Sequence, residues 1–145
     1  MPTIIKPSVK LAMLMIDTSV WINVLRDRTG VVKTALAELI DGRDYALSRF
    51  TQTELLQGSR DEQEWSLLSD YLAGQQYLDM LQDDWISAGR IFYDLRRRGI
   101  TVRSTIDCCI AQLAIAHGAS LIHDDHDFEV IAQVRALRHI RFQSQ

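Results

Sequence analysis

Leu14-Met15-Ile16-Asp17-Thr18-Ser19 is the stretch on which the fold turns. Three apolar residues in a row read as a buried strand, and the polar triplet ends it at a loop. In open parallel sheets, ligands bind at the carboxyl ends of strands, and Asp17 stands at such an end. The ordinary alternative is that Asp17 caps the helix that follows, a common role for Asp.

Outward from this strand, helical and extended stretches alternate. Val20–Leu25 reads as a short helix. Val31–Ile40 reads as a second, with Val31, Ala35, Leu36, Leu39 and Ile40 on one face, stopped by Asp41-Gly42. Tyr45–Leu47 is a second strand, Thr51–Gln57 a helix stopped near Gly58, and Glu62–Leu72 an amphipathic helix using Trp65, Leu68 and Leu72. Gln76–Leu78 is a weak strand. Asp84–Arg98 is the clearest helix, with a stripe of Trp85, Ala88, Phe92 and Leu95. Arg96–Arg98 suit the negative end of its dipole, and Gly99 stops it. Ile100–Val102 is an extended link. Thr105–His117 is apolar nearly all round and reads as a buried helix. Leu121-Ile122 is a strand, Phe128–Val134 a helix and His139–Phe142 a closing strand. This alternation predicts an α/β fold with a mostly parallel sheet.

At 145 residues, one domain of 13–145 is expected, behind a flexible extension of 1–12 that carries Pro2 and Pro7. Met13 is a second possible start. Hydrophobic residues at 47% and charged residues at 24% exclude disorder, collagen and a disulfide scaffold. The two cysteines, Cys108 and Cys109, are adjacent and suit a reducing cytoplasm. The run Leu11–Ile16 is too short to span a membrane. The net charge of −3 argues at first sight against a nucleic-acid partner. The charge is uneven, however. Residues 61–84 hold seven acids and no Lys or Arg. Residues 90–103 hold five arginines against Asp94 alone.

No G-x-G-x-x-G, G-x-x-x-x-G-K-[ST] or G-x-S-x-G motif occurs, which excludes fingerprinted dinucleotide, P-loop and nucleophile-elbow sites. A receiver-like phosphoacceptor needs a late lysine, yet the lysines are Lys6, Lys10 and Lys33. A haloacid-dehalogenase-like site needs Asp where Ser19 stands.

What remains is a set of acids in unusual places. Thr51-x-x-Glu54 and Ser104-x-x-Asp107 both match a capping box, which is the bland reading of each acid. Asp107, however, opens a helix that looks buried, and an isolated buried charge is costly. Asp124, Asp125 and Asp127 are more acids than a cap requires, so something cationic is implied. His123 and His126 read as exposed loop histidines rather than transition-metal ligands. Asp17, Glu54, Asp107 and Asp125 together would make a crowded carboxylate pocket, which selects Mg²⁺ or Mn²⁺ over zinc.

Four segments carry a family resemblance. They are Ile16-Asp17-Thr18-Ser19-Val20-Trp21-Ile22, Thr53-Glu54-Leu55-Leu56-Gln57-Gly58, Ser104-Thr105-Ile106-Asp107-Cys108-Cys109-Ile110-Ala111 and Leu121-Ile122-His123-Asp124-Asp125-His126-Asp127-Phe128. In order and spacing they resemble the four acidic motifs of PIN-domain ribonucleases, most closely VapC-type toxins. The likeness spans about residues 13 to 142. It implies a PIN-like fold with a four- or five-stranded sheet and helices on both faces. It also implies a Mg²⁺-dependent endoribonuclease, with Mn²⁺ able to substitute, that forms a homodimer and is blocked by a cognate VapB-type antitoxin. Asp17, Glu54, Asp107 and Asp125 fall on the family's acid positions. Thr18 or Ser19, and Ser104, fall where a hydroxyl touches the metal or its water. Where His123 and Asp124 stand, the family commonly has Thr and Asn, so Asp125 is the preferred metal ligand there and Asp127 the second.

On this resemblance Asp17 and Asp107 bind the ion directly, Asp125 binds it directly or through water, and Glu54 orients or deprotonates the attacking water. The fragments should carry 5′-phosphate and 3′-hydroxyl ends. Arg97, Arg98 and Arg103 are candidates for gripping RNA phosphates, against the bland reading of a solvated helix end. The main alternative is a catalytically silent PIN-like binding module. With the four site acids set aside, sixteen basic residues face fifteen acidic ones, so the net charge does not exclude RNA.

Overall fold

A computed structural model describes residues 13–143. The extension expected at 1–12 lies outside the described residues. Five strands form one all-parallel sheet: β1 (Leu14–Ile16), β2 (Tyr45–Ser48), β3 (Tyr77–Leu78), β4 (Ser120–His123) and β5 (His139–Arg141). Their order is β3-β2-β1-β4-β5. The chain first winds outward from β1 through β2 to β3, then crosses back to place β4 on the other side of β1. The switch point therefore lies between β1 and β4, which is where an open parallel sheet leaves a crevice.

Seven helices fill the crossovers. They are α1 (Thr18–Arg26), α2 (Val31–Ile40), α3 (Arg49–Gln57), α4 (Glu62–Ala73), α5 (Gln82–Arg97), α6 (Thr105–Ala116) and α7 (His126–Ile131). Side chains alternate across the central strands. Leu14, Ile16 and Ile122 join a core with Val20, Trp21, Leu36, Leu55 and Leu72. Met15 and Leu121 point the other way, into a core with Ile91, Leu95, Leu113, Phe128 and Ile131. Strands buried on both faces explain why Leu14-Met15-Ile16 is apolar without alternation.

Several expected details are corrected. Helix α3 begins at Arg49 and not at Thr51, because Ser48 is already extended at the end of β2 and its hydroxyl accepts from the Thr51 N–H at 3.1 Å. The Thr51-x-x-Glu54 capping box therefore does not form, and Glu54 is released from that role. Helix α7 starts at His126 and ends at Ile131, earlier than expected at both ends. On α5 the buried stripe is Asp84, Ala88, Ile91 and Leu95, whereas Trp85 is 54% exposed. Trp65 on α4 and Val31 on α2 also face outward. After α5, Gly99 adopts φ +76°, and its N–H donates to the Arg96 carbonyl at 2.9 Å. That left-handed turn favours glycine and sends the chain back toward the N-terminus of α6.

Candidate active site

Asp17 directly follows β1. Its N–H donates to the Ile122 carbonyl at 2.9 Å, continuing the β1–β4 ladder by one residue. The carboxylate caps α1, so the capping and site readings hold together. Oδ2 accepts from the Ser19 N–H at 3.1 Å and the Ser19 hydroxyl at 2.6 Å. The Ser19 oxygen in turn accepts the Asp124 N–H at 2.9 Å. Ser19 therefore ties the end of β1 to the loop after β4. Asp17 is only 6% exposed, and this burial, with Asp125 nearby, raises its pKa against the opposing pull of the Ser19 hydrogen bonds.

Asp107 lies in the first turn of α6, where Ser104 caps the helix by accepting from the Ile106 N–H at 3.0 Å. Ser104 thus spends its hydroxyl on the cap. Carboxylate oxygens of Asp107, Asp125 and Asp127 lie within 4.8 Å of one another. Desolvation is the main cause pushing Asp107 up, to about 7. The charges of Asp125 and Asp17 and a hydrogen bond to the Asp127 carboxyl add to it. Asp125 caps α7, its Oδ1 accepting from the Asp127 N–H at 2.9 Å.

Glu54 joins from α3. The Thr18 hydroxyl reaches Thr51 Oγ1 at 2.9 Å and Glu54 Oε1 at 3.2 Å. Burial and the charge of Asp17 raise the Glu54 pKa, while the Thr18 hydrogen bond pulls the other way. Thr18 therefore faces Glu54 and the buried Thr51. Asp124 turns aside, accepting from Asn23 Nδ2 at 3.2 Å and Arg141 Nε at 3.3 Å.

One cation sits on this cluster. Arg103 Nη2 lies 3.0 Å from Asp125 Oδ1, and its Nε lies 3.3 Å from Asp127 Oδ2. The Arg103 side chain is 79% exposed, so it rests on the rim. Arg97 and Arg98 close α5 and are exposed.

His123 departs most from the exposed-loop reading. It is the last residue of β4 and fully buried, because the strand extends one residue further than its apolar pattern. Burial holds its pKa low, at about 4, so the ring is neutral. His126 is exposed and pairs with Glu129 at 3.0 Å.

Five carboxylates against one rim arginine leave a deficit of positive charge. A carboxylate-only donor set is the chemistry that suits a hard divalent cation. The cluster can hold a divalent metal.

The PIN domain model matches residues 14–134. The chain belongs to the PIN-domain family. Among its relatives, the VapC ribonuclease Mb1587 of Mycobacterium bovis is 35% identical over 135 residues, covering 90% of this chain and 99% of the relative. Ribonuclease VapC11 of Mycobacterium tuberculosis (strain H37Rv) matches with the same identity and coverage. A solved structure, VapBC2 from Rickettsia felis bound to a DNA fragment from their promoter, aligns with a TM-score of 0.74 at 21% identity. That alignment covers 90% of this chain and 99% of the other, a likeness of fold.

Within this PIN domain, Asp17, Glu54, Asp107 and Asp125 converge on the β1–β4 crevice, and Asp127 stands inside the tightest trio. Three residues around the site escape a reading of the sequence. Thr51 reads there as a cap, and its burial behind Thr18 is visible only once α3 is placed. Arg26 and Arg28 line a groove of about 530 Å³ beside Glu54, and nothing in their local sequence marks them.

Proposed function

We propose that this PIN-domain protein is a Mg²⁺-dependent endoribonuclease and the toxin of a toxin–antitoxin pair. The observation that carries the chemistry is the convergence of Asp107, Asp125 and Asp127, bordered by Asp17 and Glu54, with Arg103 the one cation paired to them among the described residues. The two VapC relatives are ribonucleases by name, which supports RNA as the substrate.

Asp17, Asp107 and Asp125 would hold the ion, with Asp127 in reach. A bound divalent ion lowers the pKa of a water and polarises a phosphoryl oxygen. Glu54, oriented by Thr18, takes a proton from the attacking water. Its raised pKa makes it a better base than an ordinary carboxylate. Asp17 and Asp125, fixed as helix caps, keep their carboxylates in place during turnover. Water attack at phosphorus leaves 5′-phosphate and 3′-hydroxyl ends. Mn²⁺ is expected to substitute for Mg²⁺.

Arg97 and Arg98 end α5, Arg103 stands just before α6, and Arg26 and Arg28 line a groove with Glu54. Removing an arginine that grips a phosphate should lower the salt slope of RNA binding by about 1. RNA binding by the Arg97→Ala and Arg98→Ala proteins, measured across a salt series, tests the grip.

A homodimer is supported by the exposed apolar side chains of Trp85 and Ile86 on α5 and of Leu81 just before it. A cognate antitoxin is the partner expected from the toxin reading, and the solved VapBC structures share this fold. No helix among the described residues is long and apolar enough to cross a membrane. Cytoplasmic placement follows from the toxin reading. The nuclease reading is tested by RNA cleavage with Mg²⁺, with chelator, and by Asp107→Asn.

A further inference from the structure

His123 lies under the acidic loop and makes a hydrogen bond from each ring nitrogen. Its Nδ1 is 3.1 Å from the Asp125 backbone N–H, which donates to it. Its Nε2 is 2.9 Å from Nδ1 of His139 on the neighbouring strand. The ring is held between Phe128, at 5.0 Å between centroids, and His139, at 5.1 Å. With no exposed surface, it has no room to turn.

These contacts fix the tautomer. A neutral imidazole carries one N–H, so a nitrogen that accepts leaves the other to donate. Nδ1 accepts from Asp125, so Nε2 carries the hydrogen and donates it to His139 Nδ1. His139 then keeps its own hydrogen on Nε2. Two rings on adjacent parallel strands thus form a directed chain that starts at the Asp125 amide and runs to His139. Asp125 is the residue whose Oδ1 also receives the Asp127 N–H and Arg103.

We propose that His123 is a positioning residue for the acidic site. Its Nδ1 fixes the backbone of Asp125 and so the direction of that carboxylate, while His139 holds the ring in the tautomer this requires. The catalytic consequence rests on the nuclease reading, but the geometry does not. Residues that orient ligands from outside the ligand set typically contribute 10–100-fold in affinity or activity.

Asn and Gln separate this role from packing. In His123→Asn the amide oxygen occupies the place of Nδ1 and can still accept from Asp125. In His123→Gln the amide reaches the place of Nε2 and the acceptor is lost. The test combines imidazole and amide NMR with Mn²⁺ titration and RNA cleavage, each normalised to folded protein. Wild-type His123 is expected as the Nε2–H tautomer, with a slowly exchanging Asp125 amide. His123→Asn should keep that slow exchange and bind Mn²⁺ within about threefold of wild type. His123→Gln should lose the protection, with Mn²⁺ affinity and cleavage falling about 10–100-fold. An Nδ1–H tautomer in the wild type, a fast Asp125 amide, or Asn and Gln proteins that behave alike would overturn the proposal. If neither variant folds, the wild-type tautomer and amide exchange still decide it. Wild-type protein that shows the tautomer but cleaves no RNA would reject the nuclease reading and leave the positioning of Asp125 standing.

Discussion

Arg103 Nη2 lies 3.0 Å from Asp125 Oδ1, and through Nε the same guanidinium reaches Asp127. A rim arginine thus neutralises part of a carboxylate cluster that could hold a divalent ion. Because the side chain is mostly exposed and screened by solvent, the pairs contribute little to stability. Arg103→Met should leave the unfolding midpoint nearly unchanged and strengthen Mn²⁺ binding several-fold by removing a competing cation. Titration calorimetry of the two proteins checks this, and weaker binding in the variant would count against it.

Asp107 carries one pH-dependent contribution to the stability of the ion-free protein. Its folded pKa is about 7, against an ordinary 3.8, with desolvation the leading cause. The Asp107 carboxyl therefore holds its proton longer in the folded state than in the unfolded chain between about pH 4 and 7, and its own contribution to stability falls as pH rises through that window. The lowered pKa of His123 works in the opposite direction. Above pH 7 the penalty is fully present. Asp107→Asn should stabilise the ion-free protein at pH 7.5 by about 1 kcal/mol, discounted for partial exposure. It should have little effect near pH 4 and abolish cleavage. Urea melts at the two pH values, with and without Mg²⁺, measure this, and Mg²⁺ should narrow the gap at pH 7.5.

Thr18 and Glu54 act as a pair across α1 and α3, 3.2 Å apart. Thr18→Val keeps the shape and removes the hydroxyl. Cleavage under single-turnover conditions should fall about tenfold, and Glu54→Gln should cost about a hundredfold or more. RNA affinity should change little in either protein.

Asp124 and Asp127 separate by what they touch. Asp124 is bound to Asn23 and Arg141, away from the trio, whereas Asp127 is inside it. Asp124→Ala should retain cleavage within about threefold, and Asp127→Ala should lose it by about a hundredfold or more. Initial rates at saturating Mg²⁺ distinguish the two.

The sheet is legible in sequence because β1 and β4 are apolar runs that end in acids, a pattern that survives tertiary packing. The Ser104 cap and the buried α6 are legible for the same reason. Thr51 misleads because two hydroxyls, Ser48 and Thr51, lie one turn apart and either can cap. The role falls to Ser48, which is already extended at the strand end. His123 misleads because its burial comes from His139 on β5, sixteen residues away, and from Phe128 folded back in α7, and neither contact shows in the apolar pattern of β4. Trp85 reads as inward-facing because helical periodicity counts apolar residues without knowing where the sheet lies. That Arg103 touches Asp125 and Asp127 is not legible across a separation of more than twenty residues.

On the proposed reading, the acids at the β1–β4 crevice hydrolyse RNA with a divalent ion. The most direct measurement is the chemistry of the fragment ends after incubation of RNA with the wild-type and Asp107→Asn proteins. The expected result is 5′-phosphate and 3′-hydroxyl ends from wild type with Mg²⁺, none with chelator, recovery on adding Mg²⁺ or Mn²⁺, and none from Asp107→Asn. Cleavage that persists in chelator, or fragments ending in 2′,3′-cyclic phosphate, would contradict it.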